Sequence, residues 1–361
     1  MSGAPGPPPH PYTRPPRPGA VPLLGPAELA RLLAGGVPPL LVDVRPAGER
    51  RFARLPGDRS VPLDRLAAAA AALPRDRPIV TYDHLGFGAR RAADLLLGAG
   101  FPRVAALEGG VDEYARLVDP TVPRYPPDAR TPGFVLRQMP RPGTGCLSYL
   151  LGDADAQEAV VVDPGIDPAP YLAALHGEGW RLVAVVETHT HADHLAGHAP
   201  LHAATDATIW TSHRAPAAYP HRRLTDGEAI RFGREELVAL ETPGHTPDHL
   251  SLRVRDKVLT GDTLLLGSCG RTDLRGGSPE RLYESLTDRL LRLPDPTEVY
   301  PAHYGPRHAL PDRYVSTIGF ERRTNEALLQ PTREEFLRYM AEGWGPKPTD
   351  FDTIVAANLA R

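Results

Sequence analysis

Four side chains of metal-binding type lie within six residues, in the run His189-Thr-His191-Ala-Asp193-His194. They follow directly on Leu182-Val-Ala-Val-Val-Glu-Thr, an apolar stretch with strand character. In extended backbone, alternate side chains share a face, so His189 and His191 can converge on one point. Asp193 and His194 are expected where a following helix begins. Burying such a cluster without a partner would be costly, so the run points to a bound metal. Three later strand-like segments each deliver another ligand type. Leu237 to Thr242 leads to Gly244-His245-Thr-Pro-Asp248-His249, Lys257 to Thr260 leads to Gly261-Asp262, and Glu298 to Tyr300 leads to Pro301-Ala-His303-Tyr304. The glycines let the chain turn sharply where a ligand is presented. A strand, a loop and a ligand, repeated along the chain, is how a sandwich of sheets gathers a metal at one edge.

The elements that must position these groups fit a chain of 361 residues. At roughly 100–200 residues per domain, that length points to two domains. Hydrophobic residues make up 41% and charged residues 24%, enough apolar mass for real cores. A net charge of −3 argues against a nucleic-acid binder or a membrane-surface protein. No apolar run approaches the roughly 18 residues of a membrane span, and the N-terminus has no signal-peptide pattern. The two cysteines, Cys146 and Cys269, exclude a disulfide scaffold and fit a reducing cytoplasm. Residues 1–20 read as a disordered Pro-rich tail. Residues 21–121 alternate helix and strand. The helix at Pro26 places Leu29, Leu32 and Leu33 on one face, and strands lie at Leu40–Val44, Pro78–Tyr82 and Arg103–Leu107. That alternation implies a parallel sheet covered on both faces. Residues 122–131, with three prolines, are expected to be a linker. From 132 onward paired strands (Cys146–Leu151, Ala159–Asp163) precede a helix near Pro168–Glu178. Helices are expected over Pro311–Leu328 and Arg333–Ala341, then an irregular end from Pro346 to Asn358.

The order His-x-His-Ala-Asp-His, Gly-His-Thr-Pro, Gly-Asp-Thr, Pro-Ala-His resembles the metallo-β-lactamase superfamily, which implies an αββα sandwich. The resemblance is sharper downstream. Leu259 to Asp273, with its Cys269-Gly-Arg271-Thr-Asp273, resembles the persulfide dioxygenases (sulfur dioxygenases of the ethylmalonic-encephalopathy type). Tyr300-Pro-Ala-His, Glu321-Arg-Arg-Thr-Asn325 and the Pro346-Lys-Pro ending with Asn358 resemble them too, so the likeness spans about 135–361. It implies one Fe(II) per chain on His189, His245 and Asp262. Two imidazoles and a carboxylate with open positions suit non-haem iron oxygenases. His191, Asp193, His194 and His303 then orient ligands or substrate. Dinuclear zinc hydrolases of the superfamily would instead place His189, His191 and His245 on one metal. Asp193, His194 and His303 would hold the other, with Asp262 bridging. Arg271 is the expected clamp for a substrate carboxylate, against an ion pair with Asp273 as the structural alternative. Tyr304 is expected to hydrogen-bond the substrate. Cys269 reads as a small buried residue and His249 as an orienting or surface group.

Residues 21–118, through Leu41-Val-Asp43-Val-Arg45, Leu55-Pro-Gly and Phe101 to Tyr114, resemble a rhodanese (sulfurtransferase) domain. A working rhodanese carries a cysteine where this chain has Asp83, after the strand Ile79–Tyr82. A carboxylate cannot carry a transferable sulfur, so the resemblance implies the fold without the activity. The domain is read as a docking or stabilising module, with a sulfur carrier or protein partner as the alternative. The whole is expected to oxidise a low-molecular-weight thiol persulfide, such as glutathione persulfide, with O2 to sulfite and thiol. A glyoxalase II-type zinc thioester hydrolase is the alternative, and self-association into a homo-oligomer is left open.

Overall fold

The structure, a computed structural model, describes residues 21–45, 54–84, 86–119, 128–141, 146–303, 315–342, 347 and 350–360, with Phe87, Asp112 and Arg116 described by backbone alone. The Pro-rich tail at 1–20, most of the expected linker, Tyr304 and the start of the expected helix at Pro311 lie outside the described residues. The chain divides into two compact units, Met1–Arg124 and Tyr125–Arg361.

In the first unit a five-stranded sheet runs, in spatial order, Leu23–Leu24, Val104–Leu107, Ile79–Tyr82, Leu40–Asp43 and Arg59–Ser60. Every pairing is parallel. The strand side chains alternate between two cores, as the pleat requires. Val42 and Ile79 pack with Leu66 and Leu96 of the helices Leu63–Ala69 and Phe87–Gly98. Leu41, Val80 and Tyr82 pack with Leu29 and Tyr114 of the helices Pro26–Leu33 and Gly110–Leu117. Both faces are thus covered, which explains why these strands read as continuous apolar runs. The two edge strands have two residues each, too short to leave a periodic signal. Leu32, expected on the buried face, is 43% exposed, while Leu29 is fully buried.

The second unit holds two larger sheets. The seven-stranded one runs Arg222–Leu224, Thr208–Ser212, Arg181–Val186, Glu158–Val162, Leu147–Asp153, Phe134–Pro140, Ala129–Thr131. The six-stranded one runs Ala229–Phe232, Glu235–Glu241, Leu250–Val254, Lys257–Gly261, Glu298–Pro301, Ser316–Thr317. On one face of the first sheet Leu150, Val161 and Val185 pack with Tyr171, Leu175 and Leu201 of the helices Ala169–Glu178 and His198–Thr205. Tyr149, pointing the other way, meets Tyr300 of the second sheet edge-to-face at 5.9 Å and donates its hydroxyl hydrogen bond to the Pro301 carbonyl. The sheets therefore stack face to face with helices outside.

Four local expectations change. Ala129–Thr131, read as the end of the linker, is an edge strand paired with Phe134–Leu136. Asp193 and His194 do not open a helix; they sit in a loop, and the helix begins at His198. Among the described residues, 315–328 of the expected helix over Pro311–Leu328 hold a short strand, Ser316–Thr317, then a helix over Ile318–Thr324, whose start the Thr317 hydroxyl caps by accepting from Phe320 N. The chain end is not irregular: Phe351–Ala360 is a helix. Its β-branched and aromatic residues give it weak intrinsic propensity, and tertiary contacts described below hold it. Among the described residues no helix is long and apolar enough to cross a membrane.

Candidate metal centre

The strand Arg181–Val186 carries its chain straight into the loop that holds His189, and His245, Asp262 and His303 arrive at the ends of strands in the facing sheet. Gly244 and Gly261 make two of these presentations possible. A side chain at Gly244 would meet the Leu282 backbone at 2.4 Å, and Gly261 has φ +49° with His249 pressed against it. One potential ligand atom each from His189, His245 and Asp262 lies within 4.8 Å of the others. His245 Nε2 stands 3.5 Å from Asp262 Oδ2.

The rings are oriented from behind. Thr188 Oγ1 donates to Asp163 Oδ2 at 2.7 Å, so towards the His189 ring it accepts, from Nδ1 at 2.9 Å. That fixes the tautomer and leaves His189 Nε2 with its lone pair. His245 Nδ1 donates to the Arg271 carbonyl at 2.7 Å, which frees Nε2 in the same way. His249 accepts from Asp262 N at 2.9 Å through Nε2, and its Nδ1 meets the hydroxyls of Thr242 and Thr263, both at 3.0 Å. It is an orienting residue with no lone pair to spare for a metal. Burial and the neighbouring His245 pull its pKa down to about 3, so it stays neutral.

Beside this trio, His303 joins two carboxylates. Its Nδ1 lies 2.6 Å from Asp262 Oδ1 and its Nε2 lies 2.9 Å from Asp193 Oδ2. Burial opposes charging the ring, but Asp262, Cys146 and Asp193 outweigh it and raise its pKa well above the usual value. His191 Nε2 is similarly held by Asp163 Oδ1 and Glu187 Oε2, both at 3.1 Å. Burial would raise the Glu187 carboxyl, yet hydrogen bonds from His191 and His198 hold it down at about 2. His194 Nδ1 faces Asp193 Oδ1 at 3.0 Å. His191 Nδ1 and His194 Nε2 are buried without a hydrogen-bond partner. Two orphaned imidazole nitrogens beside a converging His–His–Asp set are what a metal-binding pocket leaves when its protein groups are counted alone. The residues fit the metal that the fold implies.

Arg271, expected as a free clamp, has its guanidinium paired with Asp273 at 2.7 and 2.8 Å and is mostly buried. Its main chain does the visible work, through His245. Cys269 is fully buried against Met340 Sδ at 3.5 Å, and burial pushes its thiol pKa up, so it is inert packing. Several contributors were not singled out from the sequence. Asp163 ends a buried Val-Val-Val strand and Glu187 ends the next, the same strand-end placement as the ligands. Asp248 Oδ2 accepts from Thr190 N and Oγ1 at 3.0 and 2.7 Å, tying the two ligand loops together. Cys146 leans on Asp193, which no motif announced.

In the first unit, Asp83 turns its carboxylate back on its own loop. Oδ1 accepts from Gly86 N at 2.5 Å and Oδ2 from Gly88 N at 2.6 Å. The loop N–H groups that would cradle an anion are thereby occupied by the chain's own side chain.

Comparison with known proteins identifies both folds. The metallo-beta-lactamase superfamily model matches residues 141–303, and the rhodanese-like domain model matches residues 25–117. The mitochondrial persulfide dioxygenase ETHE1 of Homo sapiens is 38% identical over 229 residues, 63% of this chain and 88% of that protein. A hydroxyacylglutathione hydrolase of Polaromonas sp. is 37% identical over 162 residues, 43% of this chain and 61% of that protein. The crystal structure of ETHE1 from Myxococcus xanthus superposes with a TM-score of 0.59 at 35% identity, covering 62% of this chain and 98% of that one. With a rhodanese-like fold ahead of a metallo-β-lactamase fold in which His189, His245 and Asp262 converge, the chain belongs to the persulfide dioxygenase family.

Proposed function

We propose that the second unit oxidises the terminal sulfur of a low-molecular-weight thiol persulfide, with glutathione persulfide as the substrate. The reaction consumes one O2 and one water: RSSH + O2 + H2O gives RSH, sulfite and two protons. The observation that carries this reading is the pairing of His303 with Asp193 and Asp262. Two groups that a second metal would need, Asp193 and His303, are hydrogen-bonded to each other, while His189, His245 and Asp262 Oδ2 converge. Fe(II) on that trio, one ion per chain, would supply open positions for sulfur and O2 side by side.

The protein's own groups have separate tasks in this reading. Thr188 and the Arg271 carbonyl hold the two imidazoles in register. His303, cationic between its carboxylates, keeps Asp262 Oδ1 occupied and places positive charge beside an anionic persulfide. Arg271 contacts a substrate carboxylate by exchanging Asp273 for it, and Tyr304 donates a hydrogen bond to the substrate. The rhodanese-like unit, with Asp83 filling its loop, serves as a docking or stabilising module. Two buried, unbridged cysteines suit work in a reducing compartment, which we take to be the cytoplasm.

The test is O2 uptake with stoichiometric sulfite release from glutathione persulfide by protein holding one iron per chain. A second reading, zinc-dependent hydrolysis of a hydroxyacylglutathione thioester, is favoured by the hydrolase relative and by the convergence of His191, Asp193, His194 and His303. It predicts two zinc ions and thioester turnover without O2. That outcome, with no persulfide oxidation, would reject the dioxygenase.

A further inference from the structure

Glu321 and Asn325 are fully buried polar side chains with no task in the chemistry proposed above. They face the short hairpin formed by Leu264–Leu265 and Ser268–Cys269, which turns at Gly267 with φ +77°. The Asn325 side-chain nitrogen lies 3.0 Å from the Leu265 carbonyl, 2.9 Å from the Ser268 carbonyl and 2.7 Å from Glu321 Oε2. Glu321 Oε2 accepts from Gly267 N at 2.8 Å, and Asn325 Oδ1 accepts from Ala327 N at 3.0 Å. The main chain adds a bond from Glu326 N to the Gly267 carbonyl at 3.2 Å. Both side chains stand on one base, the helix Ile318–Thr324 with Asn325 as its C-cap. That helix follows Ser316–Thr317, which pairs with Val299 and Glu298 of the second sheet.

Both ends of this hairpin bear on the metal centre. It leaves from Asp262 and returns to Arg271, whose carbonyl accepts from His245 Nδ1 at 2.7 Å. The two ends touch. A Cβ on Gly270 would lie 1.9 Å from the Asp262 carbonyl oxygen and 3.2 Å from His245 Nδ1. A hairpin with two residues in each strand has too few ladder bonds to hold its own shape. Its register must be fixed from outside, and Asn325 and Glu321 engage the Leu265 and Ser268 carbonyls and Gly267 N. We propose that Asn325 and Glu321 are positioning residues of the metal centre. By clamping the hairpin they set where the Arg271 carbonyl lies relative to Asp262, and so the direction in which His245 Nε2 points. Resting on the reading of His189, His245 and Asp262 as the metal-holding trio, this role is independent of which reaction the metal serves.

The experiment is Co(II) binding to the metal-free, full-length protein, read by chelator competition and by the visible ligand-field bands. Asn325→Leu, close in volume, leaves the Leu265 and Ser268 carbonyls buried without their partner. Its Co(II) affinity should fall about 10–100-fold, as when groups behind ligands are lost, and its bands should shift because His245 meets the metal at a changed angle. Glu321→Gln keeps an oxygen that accepts from Gly267 N and Asn325, so it should retain wild-type affinity and bands. Glu321→Leu should follow Asn325→Leu. A role in stability alone would lower the unfolding temperature and leave affinity and bands untouched, and that result in Asn325→Leu overturns the proposal. His245→Ala separates the two failures. Wild-type affinity in His245→Ala refutes the trio itself, whereas binding lost there and unchanged in Asn325→Leu refutes only the clamp. Should the leucine variants not fold, amide hydrogen exchange of the wild-type protein decides. Coupling between sites is reciprocal, so loading with Zn(II) should slow exchange at Gly267, Glu326 and Ala327 more than at Val160, Val161 and Val162 of the other sheet. Equal slowing at both places overturns the clamp.

Discussion

Asn358, in the last helix, donates its side-chain amide to the His194 carbonyl at 2.8 Å, across 164 residues of chain. The same nitrogen donates to the His191 carbonyl at 3.0 Å, and the side-chain oxygen accepts from Ala196 N at 2.9 Å. One buried amide thus satisfies three main-chain groups of the loop that carries His191, Asp193 and His194. Asn358→Ala leaves all three buried and unpaired, at a cost of about 1–3 kcal/mol for such a group. Metal affinity should fall about 10–100-fold, as when groups behind ligands are lost. Asn358→Asp should be worse, because an oxygen would then face two carbonyl oxygens. Thermal unfolding and metal dissociation rates check both; a loop that keeps its metal in Asn358→Ala would contradict the role.

That contact also shows where sequence reasoning reached its limit. His189, His245 and Asp262 were legible because each follows a strand-like run and a turn, a purely local pattern. Their supports were not. Thr188, Asp163 and Asp248 act through hydrogen bonds between segments far apart in sequence, and nothing local marks them. The last helix failed for the same reason. Its propensity is weak, so the Asn358 clamp and the bond from Ala218 N to the Leu359 carbonyl stabilise what local preference does not. Arg271 shows the reverse case: its type suggested a clamp, while the neighbour two residues on, Asp273, engages it.

The Asp83 carboxylate should matter for folding and not for sulfur transfer. Burial raises its pKa against the pull of the Gly86, Gly88 and Ala89 amides. Asp83→Ala removes the acceptor for two loop N–H groups at the start of the helix Phe87–Gly98. We expect a loss of about 1–3 kcal/mol in the unfolding of the first unit, with persulfide oxidation by the second unit unchanged. The wild-type chain should transfer no sulfur from thiosulfate to cyanide. Turnover in that assay would show that some other group carries sulfur in this loop.

His249 and His245 sit in one loop yet should behave differently on substitution. His245→Ala removes a member of the converging trio and should abolish stable metal binding. His249→Ala removes only the acceptor of Asp262 N and the partner of Thr242 and Thr263. Metal should still bind, about 10–100-fold more weakly. Metal analysis after dialysis at graded chelator concentrations separates the two. Equal losses would make His249 a ligand. Gly261→Ala is the control on geometry, since its new Cβ would lie 2.5 Å from His249 Nε2 at a positive φ.

The edge strand Ala129–Thr131 gives the acid response a defined location. Beside it, Arg137 bridges Asp128 and Glu178 at 2.8 and 2.5 Å, and Arg130 reaches the same carboxylates at 2.7 and 2.8 Å. Burial would raise both carboxyls, but the arginines outweigh it and lower them. A carboxyl lowered in the folded state contributes stability above its unfolded pKa, about 4. That contribution is lost as pH falls through the folded value. Glu178→Gln should therefore cost about 0.5–1 kcal/mol at neutral pH, a modest figure because Arg130 is half exposed and screened. The difference from wild type should shrink steadily below about pH 4 and disappear in stronger acid. Urea unfolding at neutral and acidic pH measures it. A penalty that persists at low pH would mean that Glu178 acts through packing and not through its charge.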